Sequence, residues 1–258
     1  MTKAEAIVLM KQGVRVTHYN FTNNEWMKLG EDGDTIILED GVKCSQLEFW
    51  RWRTDSSWSD GWELFVPTPT KLFFDTEFTG LHKNTTLISI GIISQNGETF
   101  YAEFTDYDKT QVNEWIEENV IKNLTLDKDS LGKLFVDDRH WQVRGDKAAV
   151  KYYLEDWLKR FEKVEFWSDC LSYDWVLFCD IFENAQSIPE NVYYIPFDIS
   201  TLFKDAGINP DIRREAYVEN YHQDFASEYL SAIISDKNKH NALYDAITIK
   251  ICYEKLSD

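Results

Sequence analysis

The sequence predicts an α/β protein: a mixed five-stranded sheet flanked by helices, preceded by a small α+β domain. Three observations lead there. The first 66 residues are aromatic-rich and close on Val66-Pro67-Thr68-Pro69-Thr70, where two nearby prolines favour an extended, semi-rigid connector. Residues 71 to 104 read as three consecutive strands. Beyond them, short apolar strands alternate with helical stretches to the end of the chain. The expected organisation is a small domain over 1–66, a linker over 67–70 and a main domain over 71–258.

Composition bounds the rest. The chain has 258 residues, 43% hydrophobic and 15% aromatic, enough for a sizeable core. Five of its ten Trp (Trp26, Trp50, Trp52, Trp58, Trp62) fall in the first quarter. A net charge of -18 argues against a broad basic nucleic-acid surface. It does not argue against a nucleic-acid enzyme whose positive charge is local and supplied by bound metal. Cys44, Cys170, Cys179 and Cys252 form no CxxC pair and read as buried free thiols in a reducing compartment. The N-terminus is not a signal peptide and no apolar run reaches transmembrane length, so a cytoplasmic location is expected.

In the small domain, Thr2 and Glu5 form a capping box for a helix over 2–12, with Ala6, Leu9 and Met10 on its apolar face. Strands are expected over 14–19, 35–38 and 62–65. Ser45 and Glu48 open a short helix carrying Phe49, Trp50 and Trp52. Residues 1–66 hold seven Lys and Arg against eleven acids, so they form no basic clamp.

In the main domain, Lys71-Leu72-Phe73-Phe74-Asp75-Thr76-Glu77-Phe78-Thr79-Gly80 reads as a strand. Side chains alternate along a strand, so Asp75 and Glu77 share one face. Residues 86–94 form a β-branched strand, Asn96-Gly97 a hairpin turn, and 99–104 the return strand. A helix is expected over 110–122, on Val112, Trp115, Ile116 and Val120. Residues 125–146 read as charged and irregular. A helix over 147–161, a strand over 164–167, a helix over 173–182, a strand over 193–195 and a helix over 199–204 follow. Residues 205–239 are polar, with helical character from Phe225 to Ile234. The last helix runs from 241 to 256, with Ala242, Ala246, Ile249, Tyr253 and Leu256 as its stripe.

Three acidic landmarks sit at element boundaries: Asp75-x-Glu77, Tyr173-Asp174, and His240-x4-Asp245. Each alone is weak, because an acid at a helix start usually caps it or meets its dipole. Four carboxylates in one pocket would repel by about 2–3 kcal/mol per pair at ~6 Å, on the order of 15 kcal/mol together. Two divalent cations with oxygen ligands would offset this. Asp169 and Asp180 compete with Asp174, and Asp198 fits a cap for the next helix. His82, His140 and His222 read as structural or exposed.

In this order and spacing the five residues resemble the DEDDh 3′–5′ exonuclease superfamily, which has the ribonuclease-H-like fold of proofreading exonucleases. The closer resemblance is to the polyadenylate-specific 3′-exoribonuclease AS family. It rests on Asp75-Thr76-Glu77-Phe78, Leu87 to Gly91, Tyr101-Ala102-Glu103, Tyr173-Asp174 and His240-x-Ala242-Leu243-x-Asp245-Ala246, and covers roughly residues 71–256. The resemblance implies two Mg²⁺ or Mn²⁺ ions held by Asp75, Glu77, Asp174 and Asp245, with His240 as general base. It implies Phe78, Thr79, Leu81 and Tyr173 as substrate contacts, although ordinary loop packing explains the first three as well. Tyr173, Trp175 and Tyr244 are candidates for base stacking. The expected substrate is single-stranded RNA, with DNA open, cut to nucleoside 5′-monophosphates. Dinucleotides or cap-like nucleotides are one alternative, and an inactive binding module is another. Residues 1–66 lie outside the resemblance, and a homodimer or a protein partner is open for them.

Overall fold

A computed structural model of the chain describes residues 1–135, 137–219, 228–236 and 239–257. It divides into two compact units, Met1–Thr68 and Pro69–Asp258. His222 and Phe225 lie outside the described residues.

The first unit comprises α1 (Lys3–Met10), β1 (Val16–His18), β2 (Met27–Leu29), β3 (Thr35–Leu38), β4 (Lys43–Ser45), α2 (Gln46–Arg51) and β5 (Trp62–Leu64). The capping box on α1 is complete: Thr2 accepts from Glu5 N, and Glu5 reaches back to Thr2 N. The strands form one sheet in the order β4-β3-β2-β1-β5, antiparallel throughout. β2 and β4 went unread in the sequence, since three residues are too few to show alternation. Ala6 and Met10 pack with Val16, Met27, Ile36, Phe49 and Trp62 in the core. Trp52 lies just past α2 and is exposed, not on the helix face.

The second unit holds β6 (Thr70–Phe78), β7 (Leu87–Ser94), β8 (Thr99–Phe104), α3 (Glu114–Asn119), β9 (Gly132–Phe135), β10 (His140–Gly145), α4 (Lys147–Leu158), β11 (Val164–Ser168), α5 (Ser172–Ile181), β12 (Phe197–Asp198), α6 (Ile199–Asp205), α7 (Arg214–Val218), α8 (Glu228–Asp236) and α9 (Ala242–Ser257). Its sheet has seven strands, not five, in the order β12-β11-β6-β7-β8-β10-β9. The meander β6-β7-β8 is antiparallel, while β11 joins β6, and β10 joins β8, in parallel. At the hairpin between β7 and β8, Gly97 has φ 91°, a conformation that favours glycine.

The added strands lie in the stretch read as irregular. β10 alternates His140, Gln142 and Arg144 with Trp141 and Val143, but this period-2 signal spans only six residues of a charged stretch. The strand expected over 193–195 is absent. Tyr193 only bonds to Val164 O, and pairing with β11 resumes at Phe197–Asp198. The helix expected over 110–122 is broken: α3 is six residues long between two 3-10 turns, Lys109–Gln111 and Ile121–Asn123.

Helices cover both faces of this sheet. On one, α4 and α5 place Val150, Leu154, Trp157 and Phe178 against Leu72, Phe74, Ile90 and Phe100. On the other, α9 and α6 place Ala242, Ala246, Ile249 and Phe203 against Phe73, Ile93 and Tyr101. Alternation then puts Asp75, Glu77 and Glu103 on the α9 face. Gly91, paired with Asp75, is what lets α9 approach. A Cβ there would lie 2.3 Å from Ala242 C and Leu243 N. Asp198 caps α6 through Ser200 N. The four cysteines are free, but Cys170 is exposed and Cys44 half-buried, contrary to the expectation of four buried thiols. Among the described residues no helix is long and apolar enough to cross a membrane.

Candidate active site

A cleft of about 530 Å³ opens in the second unit, and Asp75, Glu77, Asp174, His240 and Asp245 all line it. β6 supplies Asp75 and Glu77 from one face of a nine-residue strand. Asp174 lies in the first turn of α5, and Asp245 in the first turn of α9. Thr76 points the other way from its neighbours, and its N–H and hydroxyl both donate to Asp174 Oδ1. Ser168 Oγ reaches Asp174 Oδ2 at 3.4 Å.

The electrostatics are unfavourable for anions. Burial first, and then the charges of Asp174, Asp245 and Glu77, hold Asp75 well above the ordinary carboxylate range. Burial, then Asp245 and Asp174, push Glu77 up to about 8. Burial raises Asp245 to about 7 against the opposing His240 N–H. It raises Asp174 to about 6 against the bonds from Thr76 and Ser168.

Ligand atoms of Glu77, His240 and Asp245 come within 4.8 Å of one another. The carboxylate oxygens here are donors that fit a hard divalent cation. His240 sits on the turn before α9 at φ 63°, in the left-handed region. Its N–H donates to Asp245 Oδ2 at 3.0 Å, and its Nδ1 is 3.9 Å from Glu77 Oε1. Burial, and then Lys239, lower its pKa, which favours the neutral, proton-accepting form.

The competing acids have other partners. Asp169 lines the cleft but takes a two-pronged bond from Arg214, 2.7 Å from Nε and from Nη2. Asp180 pairs with Lys147 at 3.0 Å on the surface. Phe78, Leu81 and Tyr173 line the cleft, and Phe78 stacks on Tyr173 with centroids 5.5 Å apart. Thr79 is not among the lining residues; it is buried, and its hydroxyl accepts from Thr86 N and donates to Gln111 Oε1. Trp175 packs into the core on Phe178, and Tyr244 is buried, so of those three aromatics only Tyr173 faces the cleft. Exposed His82 and buried His140, bonded to Thr99, stand outside the cleft lining.

Residues 70–256 match the family model described as the 3′-5′ exoribonuclease Rv2179c-like domain. The chain belongs to this family. Its activity class is that of a 3′-5′ exonuclease. Two relatives from Mycobacterium tuberculosis are named 3′-5′ exoribonuclease: Rv2179c of strain ATCC 25618 / H37Rv and MT2234.1 of strain CDC 1551 / Oshkosh. Each is 25% identical over 139 residues, which is 53% of this chain and 76% of the relative. Among solved structures, the RNase domain of the yeast Pop2 protein aligns at TM-score 0.41 and 14% identity, covering 72% of this chain and 76% of that one. The Neurospora crassa Pan2 catalytic unit (protease and nuclease domain) aligns at 0.34 and 15% identity, covering 95% and 45%.

Several residues in this exonuclease's cleft or supporting its groups escaped the sequence reading. Trp115, expected on a buried helix face, is exposed and meets the His240 ring edge-on at 5.1 Å. Arg214 is held by Asp169 and by Ile212 O, and it lies over the Phe203 ring. Thr76 and Ser168 orient Asp174. Nothing in local spacing marks these residues: Trp115, Arg214 and Thr76 act on partners far away in sequence, and Ser168 meets Asp174 only across the loop into α5.

Proposed function

We propose that residues 71–258 are a two-metal-ion 3′–5′ exonuclease domain of the DEDDh type, nearest the polyadenylate-specific 3′-exoribonuclease AS family. Its substrate is single-stranded RNA, and it releases nucleoside 5′-monophosphates. The observation that carries the reading is the convergence of Asp75, Glu77, Asp174 and Asp245, from three separate elements, on one cleft with His240 at its edge. Membership of a 3′-5′ exoribonuclease family supports RNA as the substrate.

Asp75, Glu77, Asp174 and Asp245 would hold Mg²⁺ or Mn²⁺, which when bound offsets their repulsion, activates the attacking water and stabilises the leaving oxygen. His240 takes the proton of that water. The bond that breaks joins phosphorus to O3′ of the penultimate nucleotide, so the phosphate leaves with the terminal one. Phe78, stacked on Tyr173, forms an aromatic wall for the terminal base. Thr79 shapes the same loop through its bonds to Thr86 and Gln111, and Leu81 stands exposed at the rim.

Residues 1–66 are an accessory domain joined by a linker over 67–70, suited to substrate length, a protein partner or homodimer formation. Four free thiols suit a reducing, cytoplasmic setting.

The test is incubation with Mg²⁺ or Mn²⁺ and 5′-labelled single-stranded RNA, the matching DNA, and a dinucleotide. A descending ladder on RNA is expected. Cleavage of the dinucleotide alone would replace this reading with a small-substrate phosphodiesterase. Binding without turnover in either metal would make the protein an inactive binding module.

A further inference from the structure

We propose that Asn123 is a positioning residue that fixes the backbone on both sides of His240 and so holds the imidazole in place for proton transfer. The inference rests on the reading of His240 as the general base.

His240 occupies a left-handed conformation that a non-glycine residue does not hold without support. Besides the bond from His240 N to Asp245 Oδ2, one distant residue supports the backbone on both sides. Asn123 Nδ2 donates to Lys239 O at 2.7 Å, and Asn123 O accepts from Asn241 Nδ2 at 3.1 Å. Both neighbours of His240 are thus tied to the 3-10 turn Ile121–Asn123, more than a hundred residues away in sequence.

That turn is itself anchored. Glu103 on β8 accepts from Thr125 N at 2.7 Å and Leu126 N at 2.9 Å, just past Asn123. Tyr101 OH donates to the same Glu103 oxygen and accepts from Asn241 Nδ2 at 3.2 Å, which closes the loop of bonds. Asn241 Oδ1 also accepts from Leu243 N and Tyr244 N, so one side chain caps α9 and ties it to β8.

The network bears on His240 more than on Asp245. Asp245 is carried by the body of α9, which packs on β6 and β7 through Ala242, Ala246 and Ile249. His240 precedes the helix, and besides its backbone N–H bond to Asp245 Oδ2 and the Trp115 ring against it, it is held by the turn. Losing the Asn123 donor therefore frees the imidazole while leaving the metal ligands in place.

The experiment compares wild type, Asn123→Asp, Tyr101→Phe, His240→Ala and the Asn123→Asp/His240→Ala double variant in the full chain. Asn123→Asp keeps the shape and removes the donor to Lys239 O and to Asn119 O. Steady-state rates on single-stranded RNA, Mn²⁺ affinity by calorimetry and Tm are measured. For Asn123→Asp, kcat falls about 10–100-fold, a loss typical of supporting partners, with KM and Mn²⁺ affinity within about twofold. Tyr101→Phe gives a smaller loss with the same split. In the His240→Ala background, Asn123→Asp has no further effect. The inference is overturned if Asn123→Asp leaves kcat unchanged while His240→Ala abolishes it. It also fails if Mn²⁺ affinity drops in step with kcat, or if the loss persists undiminished in the double variant. Near-wild-type rates for His240→Ala would sink the base assignment itself, and this inference with it.

Discussion

Glu77 and Glu103 stand on either side of one residue. Both pair across the sheet with Ser89 on β7, Glu77 from β6 and Glu103 from β8, and both face α9. Burial raises the pKa of each. Their surroundings differ. Glu103 accepts from Thr125 N, Leu126 N and Tyr101 OH, with the positive charge of Arg144 nearby. Glu77 has the charges of Asp245 and Asp174 beside it, and no hydrogen-bond donor to it occurs among the described residues. A buried carboxylate with three donors is a structural strut. A buried carboxylate whose neighbours are more carboxylates is stable only with a cation or a proton.

The largest expected effect tests the crowded side. Asp75→Asn should lower kcat/KM by at least ~10²–10³-fold, the scale for losing one preorganised electrostatic group. In the metal-free protein at pH 8 the same change should raise Tm, because one repelling charge is gone. Loss of activity together with a lower metal-free Tm would mean that Asp75 serves the fold.

Next comes the strut. Glu103→Leu removes the shared acceptor of Thr125 N, Leu126 N and Tyr101 OH, and should cost about 2–4 kcal/mol by chemical denaturation. Glu77→Gln should cost nothing comparable in the metal-free protein while abolishing turnover. Equal destabilisation by the two changes would erase the contrast.

Gly91→Ala tests how the α9 end is seated against the acidic strand. The new methyl meets backbone atoms of Ala242 and Leu243, which cannot rotate away. A stability loss of about 1–3 kcal/mol and weaker Mn²⁺ binding are expected. Unchanged metal affinity by calorimetry would show that the helix shifts without disturbing Asp245.

The sign of the pH dependence is set by the acids. Folded values of about 8 for Glu77, about 7 for Asp245 and about 6 for Asp174 lie above those of unfolded carboxylates. The folded state then holds extra protons, so stability is greatest at low pH and is lost as pH rises from about 4 through about 8. A Tm series from pH 5 to 9 in chelator should fall, and saturating Mg²⁺ should flatten it. A Tm that rises over this range in chelator would contradict the crowding.

Ser89 gives the smallest effect. Its hydroxyl is fully buried and has no hydrogen-bond partner among the described residues. Ser89→Ala should change metal-free stability by less than about 1 kcal/mol in denaturant titrations. A larger loss would reveal a bond from Ser89 to Glu77 or Glu103.

Features set by near neighbours were legible in the chain. The capping box of Thr2 and Glu5, the Asn96-Gly97 hairpin and the shared face of Asp75 and Glu77 depend only on spacings of two or three residues. β9, at the sheet edge, and β10, between β8 and β9, were not legible, since each is short and lies in a stretch dominated by charge. α3 was over-read for the opposite reason: Trp115 completes an apolar stripe on paper, yet it lies exposed against His240.

The sequence by itself determined which side chains share a strand face or open a helix, because backbone geometry alone dictates that. The tertiary structure decided which acid is a strut and which is crowded. It decided that Gly91 is a seat for α9 and that Asn123 grips both sides of His240. Those outcomes depend on contacts between residues far apart in the chain, and no local period encodes them.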